Sequence, residues 1–92
     1  MPALSDQKAN SLLESLPDWR IEARELVRLF QFENFPAAIR FVNRVADLAE
    51  TKSHHPDIDI RYDRVRIALT THDAGGLTPK DFELAALVDG AV

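Results

Sequence analysis

Cysteine is absent from the 92-residue chain, which removes disulfides, thiolate nucleophiles, Cys-ligated zinc and iron–sulfur clusters from consideration. Glycine and proline are sparse, 3 and 5 residues. Most of them stand where elements should begin or end, so no linker, low-complexity tract or internal repeat is present. Nowhere do about 18 uncharged apolar residues run together, so neither a transmembrane helix nor a membrane partner is expected. The opening MPALSDQKANSLLESL lacks a basic stretch followed by an unbroken apolar run. No secretory signal is expected, and the expected localisation is cytoplasmic. Positive charge is in deficit: 11 Lys and Arg stand against 15 Asp and Glu, for a net charge of −4. With a pI near 5.2, nucleic acid is not expected as a partner.

What remains is 46% hydrophobic and 28% charged residues, the balance of an ordinary globular chain. The length fits one domain, residues 1–92. A chain this small buries only about 60–65% of its unfolded surface, which makes oligomerisation a natural source of further stability.

Ala9, Leu12, Leu13 and Leu16 share one helical face behind Ser5, a plausible N-cap, and Pro17-Asp18 should stop that helix. Trp19, Ile21 and Ala23 alternate with charged residues, the period of a strand half buried in a sheet. Leu26 to Phe32 reads as a second strand, apolar on both faces, after a turn near Ala23–Leu26 that carries no Asn-Gly signal. From Asn34 the period becomes helical. Asn34 caps, Pro36 sits in the first turn, and Phe35, Ala38, Ile39, Val42, Val45, Ala46 and Ala49 form a wide stripe. Phe41 and Leu48 fall off this stripe, either as edges of the core or, slightly favoured, as a seam for another subunit. Ile58, Ile60 and Tyr62 then alternate with Asp57, Asp59 and Arg61. A two-residue turn at Asp63-Arg64 is expected to return the chain through Val65, Ile67, Leu69 and Thr71. Thr78-Pro79 opens a last helix with Phe82, Ala85 and Ala86 inward. The order α-β-β-α-β-β-α predicts an α+β fold, an antiparallel sheet with helices on one face.

All three histidines lie between positions 54 and 72. A hairpin turning at Asp63-Arg64 sets residue 55 or 56 opposite residue 71 or 72, so His54, His55 and His72 can meet at one sheet end. Three ordinary surface imidazoles are the plain alternative. A metal site is a weaker one, because adjacent histidines rarely point at one ion and no thiolate supports them. Asp81 fits a capping box with Thr78. Glu50 would be a solvated acid at a helix C-terminus, poorly placed toward the helix dipole. Trp19 would be a core or rim aromatic.

The series Glu50-x3-His54-His55-Pro56, five residues, Tyr62, nine residues, His72, eight residues, Asp81 resembles the signature of the pterin-4a-carbinolamine dehydratases. Trp19, Phe30-x-Phe32, Phe35, Ala38, Phe41 and Val45 resemble that family's earlier pattern. Thr71-His72-Asp73-x-Gly75-Gly76-Leu77-Thr78, with Asp81 and Ala85, resembles its last third. The resemblance covers about residues 4 to 90 and implies a four-stranded antiparallel sheet with three helices on one face. It also implies homodimers through sheet edges, and often homotetramers through helices. The implied reaction is loss of water from 4a-hydroxytetrahydrobiopterin to give quinonoid dihydrobiopterin, with no metal or organic cofactor. That reaction recycles the pterin of aromatic amino acid hydroxylases.

By the same resemblance His54 and His72 would be the acid/base pair and His55 would position the substrate. Glu50 and Asp81 would orient the imidazoles, and Trp19 would lie at the pocket rim. Backbone groups near Pro56 and Thr70–Thr71 would bind the pterin edge. The chemistry suits the residues, since imidazole is the side chain whose ordinary pKa lies near neutrality. Ser53 departs from the pattern, standing where animal relatives commonly carry Asp. Two rival functions stay open. One is a dimerisation or assembly partner without catalysis, although family-like assembly factors have lost the histidines. The other is pterin chemistry in another pathway.

Overall fold

The computed structural model describes residues 2–92. Helix α1 spans Asp6–Leu13, strands β1 and β2 Arg20–Glu22 and Glu25–Gln31, and helix α2 Phe35–Lys52. Strands β3 and β4 follow at Asp57–Arg61 and Arg64–Leu69, then one 3-10 turn at His72–Ala74 and helix α3 at Pro79–Asp89. All strand pairs are antiparallel, in the order β1-β2-β4-β3. No described helix is long and apolar enough to cross a membrane.

The caps are local chemistry and fall where the sequence puts them. The Ser5 hydroxyl accepts from Lys8 N–H at 3.1 Å and the Asn34 side chain from Ala37 N–H at 2.9 Å, each satisfying a first-turn donor. Helix α1 stops at Leu13, short of Pro17, and Leu16 reaches the core from the turn that follows.

The first hairpin turn falls within the expected Ala23–Leu26 stretch, and the second differs from expectation by one residue. Pairing of Glu22 with Glu25 leaves Ala23 and Arg24 as the first turn, with φ of 48° and 66°. Two left-handed residues match the right-handed strand twist, a role usually given to Asn-Gly; here the Thr70 hydroxyl donates to the Arg24 carbonyl at 3.0 Å and holds it. The second turn is Tyr62-Asp63, not Asp63-Arg64, because Arg61 pairs with Arg64. Tyr62 adopts φ 54° and stacks on Phe35, ring centroids 6.4 Å apart. The Phe32 N–H donates to the Asp63 carbonyl at 2.8 Å. Moving the turn by one residue moves the β3–β4 register by two.

Leu26, Phe30, Val65, Ile67 and Leu69 face the helices and are buried. From α2 the buried line is Ala38, Phe41, Val45 and Ala49, so Phe41 is fully enclosed core and not a subunit seam. Its ring lies 4.6 Å from Phe30 and 4.9 Å from Phe32. Leu48 packs against the same core, whereas Phe35 and Ala46 of the expected stripe are exposed. On the opposite face of the sheet the Glu22 carboxyl sits below its ordinary pKa, mainly through its hydrogen bond from Arg20, with Arg66 adding to it.

Candidate active site

Two ends of the fold meet at one point. Helix α2 closes on Ser53, left-handed at φ 50°, and the His54 amide turns back to the Ala49 carbonyl at 3.1 Å. This reversal presents the His54 side chain to the start of α3. There His54 Nε2 lies 2.5 Å from Asp81 Oδ1. The His54 side chain is 11% exposed and Asp81 is 0% exposed. The other carboxylate oxygen, Oδ2, accepts the Thr71 hydroxyl at 2.8 Å and the Thr78 N–H at 2.9 Å. The second of these bonds is the Asp81 half of the capping box. Asp81 therefore both caps the helix and contacts His54 through its second carboxylate oxygen.

An aspartate without solvent is tolerable only where hydrogen bonds replace its hydration. Three donors do so here, and one of them is an imidazole. The arrangement fixes which ring nitrogen faces inward: an ionised carboxylate only accepts, so Nε2 bears the hydrogen. Nδ1 has no hydrogen bond to protein among the described residues.

The second pair is at the surface. His55 Nε2 meets Glu50 Oε2 at 2.5 Å, with side chains 63% and 78% exposed. Glu50 thus reaches across its own helix end to one imidazole, as Asp81 reaches the other. His72 is not in β4, which ends at Leu69; it opens the 3-10 turn and is exposed. Gly75, at φ 73°, closes that turn by donating its amide to the His72 carbonyl at 3.1 Å. Carried past Asp57–Ala68, the observed register sets His54 opposite Thr71 and His55 opposite Thr70. The Thr71–Asp81–His54 chain links the segment after β4, through α3, to the segment after α2.

The remaining predicted site residues spread out. Pro56 directly precedes β3 and is half-buried. The Thr70 hydroxyl is engaged at the first hairpin turn. Trp19 is buried at the far end of α3, where its indole donates to Asp89 at 2.8 Å beside the Arg28 guanidinium at 2.7 Å. Asp89 is eight residues past Asp81, about 12 Å along the helix, so Trp19 is not part of the His54 cluster. The sequence reading missed the side chains of Thr71 and Thr78, whose hydroxyls lie 2.9 Å apart; the capping-box pattern at Thr78 was the only signal. A cleft of about 600 Å³ lies across the glycine loop, lined by Leu4, Ala9, Ile21, Arg24, Gly76 and Leu77 among others, and holds no histidine. Among the described residues no group of three or more His, Asp or Glu side chains is arranged to hold a metal ion.

Comparison with known proteins gives a consistent result. The profile of a family described as pterin 4 alpha carbinolamine dehydratase matches residues 2–91. A relative from Chloroflexus aurantiacus is 63% identical over 89 residues, covering 97% of this chain and 96% of its own. One from Acidobacterium capsulatum is 54% identical over 89 residues, with 97% of each chain covered. Both carry the provisional name pterin-4-alpha-carbinolamine dehydratase. A transcriptional coactivator/pterin dehydratase from Brucella melitensis superposes with a TM-score of 0.93 at 30% identity, covering 97% of both chains. A pterin dehydratase-like protein identified as a RuBisCO assembly factor of the alpha-carboxysome gives 0.69 at 26% identity, covering 80% of this chain and 88% of that one.

Proposed function

Since the chain belongs to the pterin-4a-carbinolamine dehydratase family, we propose that it removes water from a 4a-hydroxytetrahydropterin to give the quinonoid dihydropterin. The observation that carries this reading is the buried Asp81 carboxylate on His54 Nε2. In the reaction the C4a–O bond breaks, the N5–H bond breaks, and an N5=C4a double bond forms. The departing hydroxyl takes a proton and leaves as water. Two proton transfers suffice, and each suits an imidazole. His54, polarised by Asp81, supplies one; the exposed His72 supplies the other; His55, held by Glu50, positions the pterin. The physiological setting we assign is recycling of the pterin of aromatic amino acid hydroxylases in the cytoplasm. The test follows quinonoid dihydropterin from freshly generated 4a-hydroxytetrahydropterin, with spontaneous dehydration subtracted. Acceleration by the wild-type protein supports the reading, and no acceleration by folded protein overturns it. The RuBisCO assembly factor's likeness in fold favours, as a second reading, a partner role without catalysis, and that same negative result would select it.

The working unit we propose is at least a homodimer, formed through β3. Of the two sheet edges, β1 has three residues and β3 has five, Asp57-Ile58-Asp59-Ile60-Arg61. Antiparallel pairing of two copies about Asp59 sets Asp57 against Arg61 of the second copy twice, and Ile58 against Ile60. Arg61→Asp is expected to weaken self-association roughly tenfold or more by turning two attractions into repulsions. Adding Asp57→Arg to it restores the charge pairs. Sedimentation velocity reads both changes; identical dimerisation by all three proteins would exclude this edge and register.

A further inference from the structure

We propose that Thr71 is a positioning residue for His54, acting through Asp81, with the Thr78 hydroxyl as the donor behind it. The kinetic part of this inference rests on the dehydratase reading; the structural part does not.

The contacts form a directed chain. The Thr78 and Asp81 side chains are completely buried, and Thr71 is half-buried between them. The Thr71 hydroxyl lies 2.8 Å from Asp81 Oδ2 and 2.9 Å from the Thr78 hydroxyl. A hydroxyl has one hydrogen to donate, and an ionised carboxylate can only accept. The Thr71 hydrogen therefore goes to Asp81, and Thr78 must donate to Thr71. The order Thr78, Thr71, Asp81, His54 is set by counting hydrogens.

The chain also separates the duties of the two carboxylate oxygens. Oδ2 carries Thr71 and the Thr78 amide, and Oδ1 is left to His54 alone. Removing the Thr71 hydroxyl leaves Oδ2 with a single donor in a place closed to solvent. The carboxylate then gains by turning toward other donors, and the Nε2–H tautomer of His54 loses the fixed acceptor that selects it.

The backbone supports Thr71 for this role. It forms an isolated bridge with Gly76, its amide donating to the Gly76 carbonyl at 3.1 Å. The loop between them closes through Gly75 at φ 73°, a conformation glycine adopts without steric cost. Threonine adds stiffness at χ1 that serine lacks. A threonine at the end of a strand, whose backbone was expected to meet the pterin, thus works through its side chain on the far side of the imidazole.

The test compares Thr71→Val, which keeps the branched shape and deletes the donor, with Thr71→Ser, which keeps the donor. In the dehydratase assay Thr71→Val is expected to lower kcat about 10- to 100-fold, the usual effect of removing an orienting hydrogen bond behind a functional imidazole, with KM within about twofold. Thr71→Ser is expected to stay within about threefold of wild type. Nitrogen-15 NMR of the imidazoles provides a readout without activity: His54 is Nε2–H in wild type and in Thr71→Ser, and a tautomer mixture in Thr71→Val. Each variant is read well below its own melting point, with Thr71→Ala giving the same comparison should the valine methyl prevent folding. Wild-type kcat together with an unchanged His54 tautomer in the donor-less variant would overturn the proposal. So would a rise in KM alone. A tautomer change in a protein whose wild type shows no dehydratase activity would uphold the positioning role and overturn the dehydratase reading.

Discussion

His54→Ala is expected to lower kcat for 4a-hydroxytetrahydropterin dehydration by roughly 10²- to 10⁴-fold, the range general acid–base groups contribute. The magnitude follows from how the imidazole is held. A side chain free to rotate would lose part of its advantage to entropy. His54 instead has one nitrogen fixed 2.5 Å from a buried carboxylate, so the ring's orientation is set before a substrate arrives. His55→Ala should act mainly on KM, because its partner Glu50 is solvent-exposed and its proposed task is binding. His72→Ala should lower kcat as His54→Ala does if the two imidazoles handle the two protons of one elimination. The double variant would then lose less than the product of the single losses, since groups acting as one unit are not additive. Melting temperatures must accompany the rates, because losing His54 also removes one of the three donors to buried Asp81. A folded His54→Ala protein with wild-type kcat/KM would remove this residue from the chemistry.

The parts of this arrangement legible in the sequence are those with local causes. Ser5 and Asn34 announce their helix starts because a cap needs only a side-chain oxygen and an amide three residues on. The helix and strand periods are likewise internal to each segment. The first turn was legible only to within a few residues and the second was misplaced, because their left-handed residues are held by partners far along the chain: the Thr70 hydroxyl for Ala23-Arg24 and the Phe35 ring for Tyr62-Asp63. Misplacing the second turn by one residue put Pro56 opposite Thr71, where His54 belongs. Phe41 illustrates the same point in a helix. The apolar surface of α2 is wider than the face the sheet covers, and only packing against Phe30 and Phe32 decides which half is core. The spacing of His54 and Asp81 was visible as a family resemblance. Their contact needs the reversal at Ser53 and the capping turn at Thr78, two bends that periodicity does not encode.

Asp81→Asn separates the structural duty of this residue from its chemical one. The amide oxygen can occupy the Oδ2 position and still accept from the Thr71 hydroxyl and the Thr78 N–H, which preserves the cap. The amide NH2 then stands where Oδ1 was and donates toward His54 Nε2. Two donors cannot face each other, so the imidazole must move its hydrogen to Nδ1, the nitrogen proposed to serve the substrate. Tautomer inversion of this kind in an aspartate–histidine pair costs on the order of 10⁴-fold in kcat, and a fall of about 10²-fold or more is the expected result here. Stability should change far less, by about 1–2 kcal/mol, because the buried donors on the Oδ2 side keep an acceptor. Asp81→Ala reverses the emphasis. It strands the Thr78 amide, the Thr71 hydroxyl and the His54 ring without an acceptor in a site closed to water, at a cost of roughly 3–5 kcal/mol. In a domain of this size that corresponds to a drop in melting temperature of about 15–30 °C. Thermal unfolding set beside kcat for the two variants distinguishes the duties. An Asn variant as active as wild type would show that the carboxylate is a helix cap and nothing more, and His54 would then have to act without it.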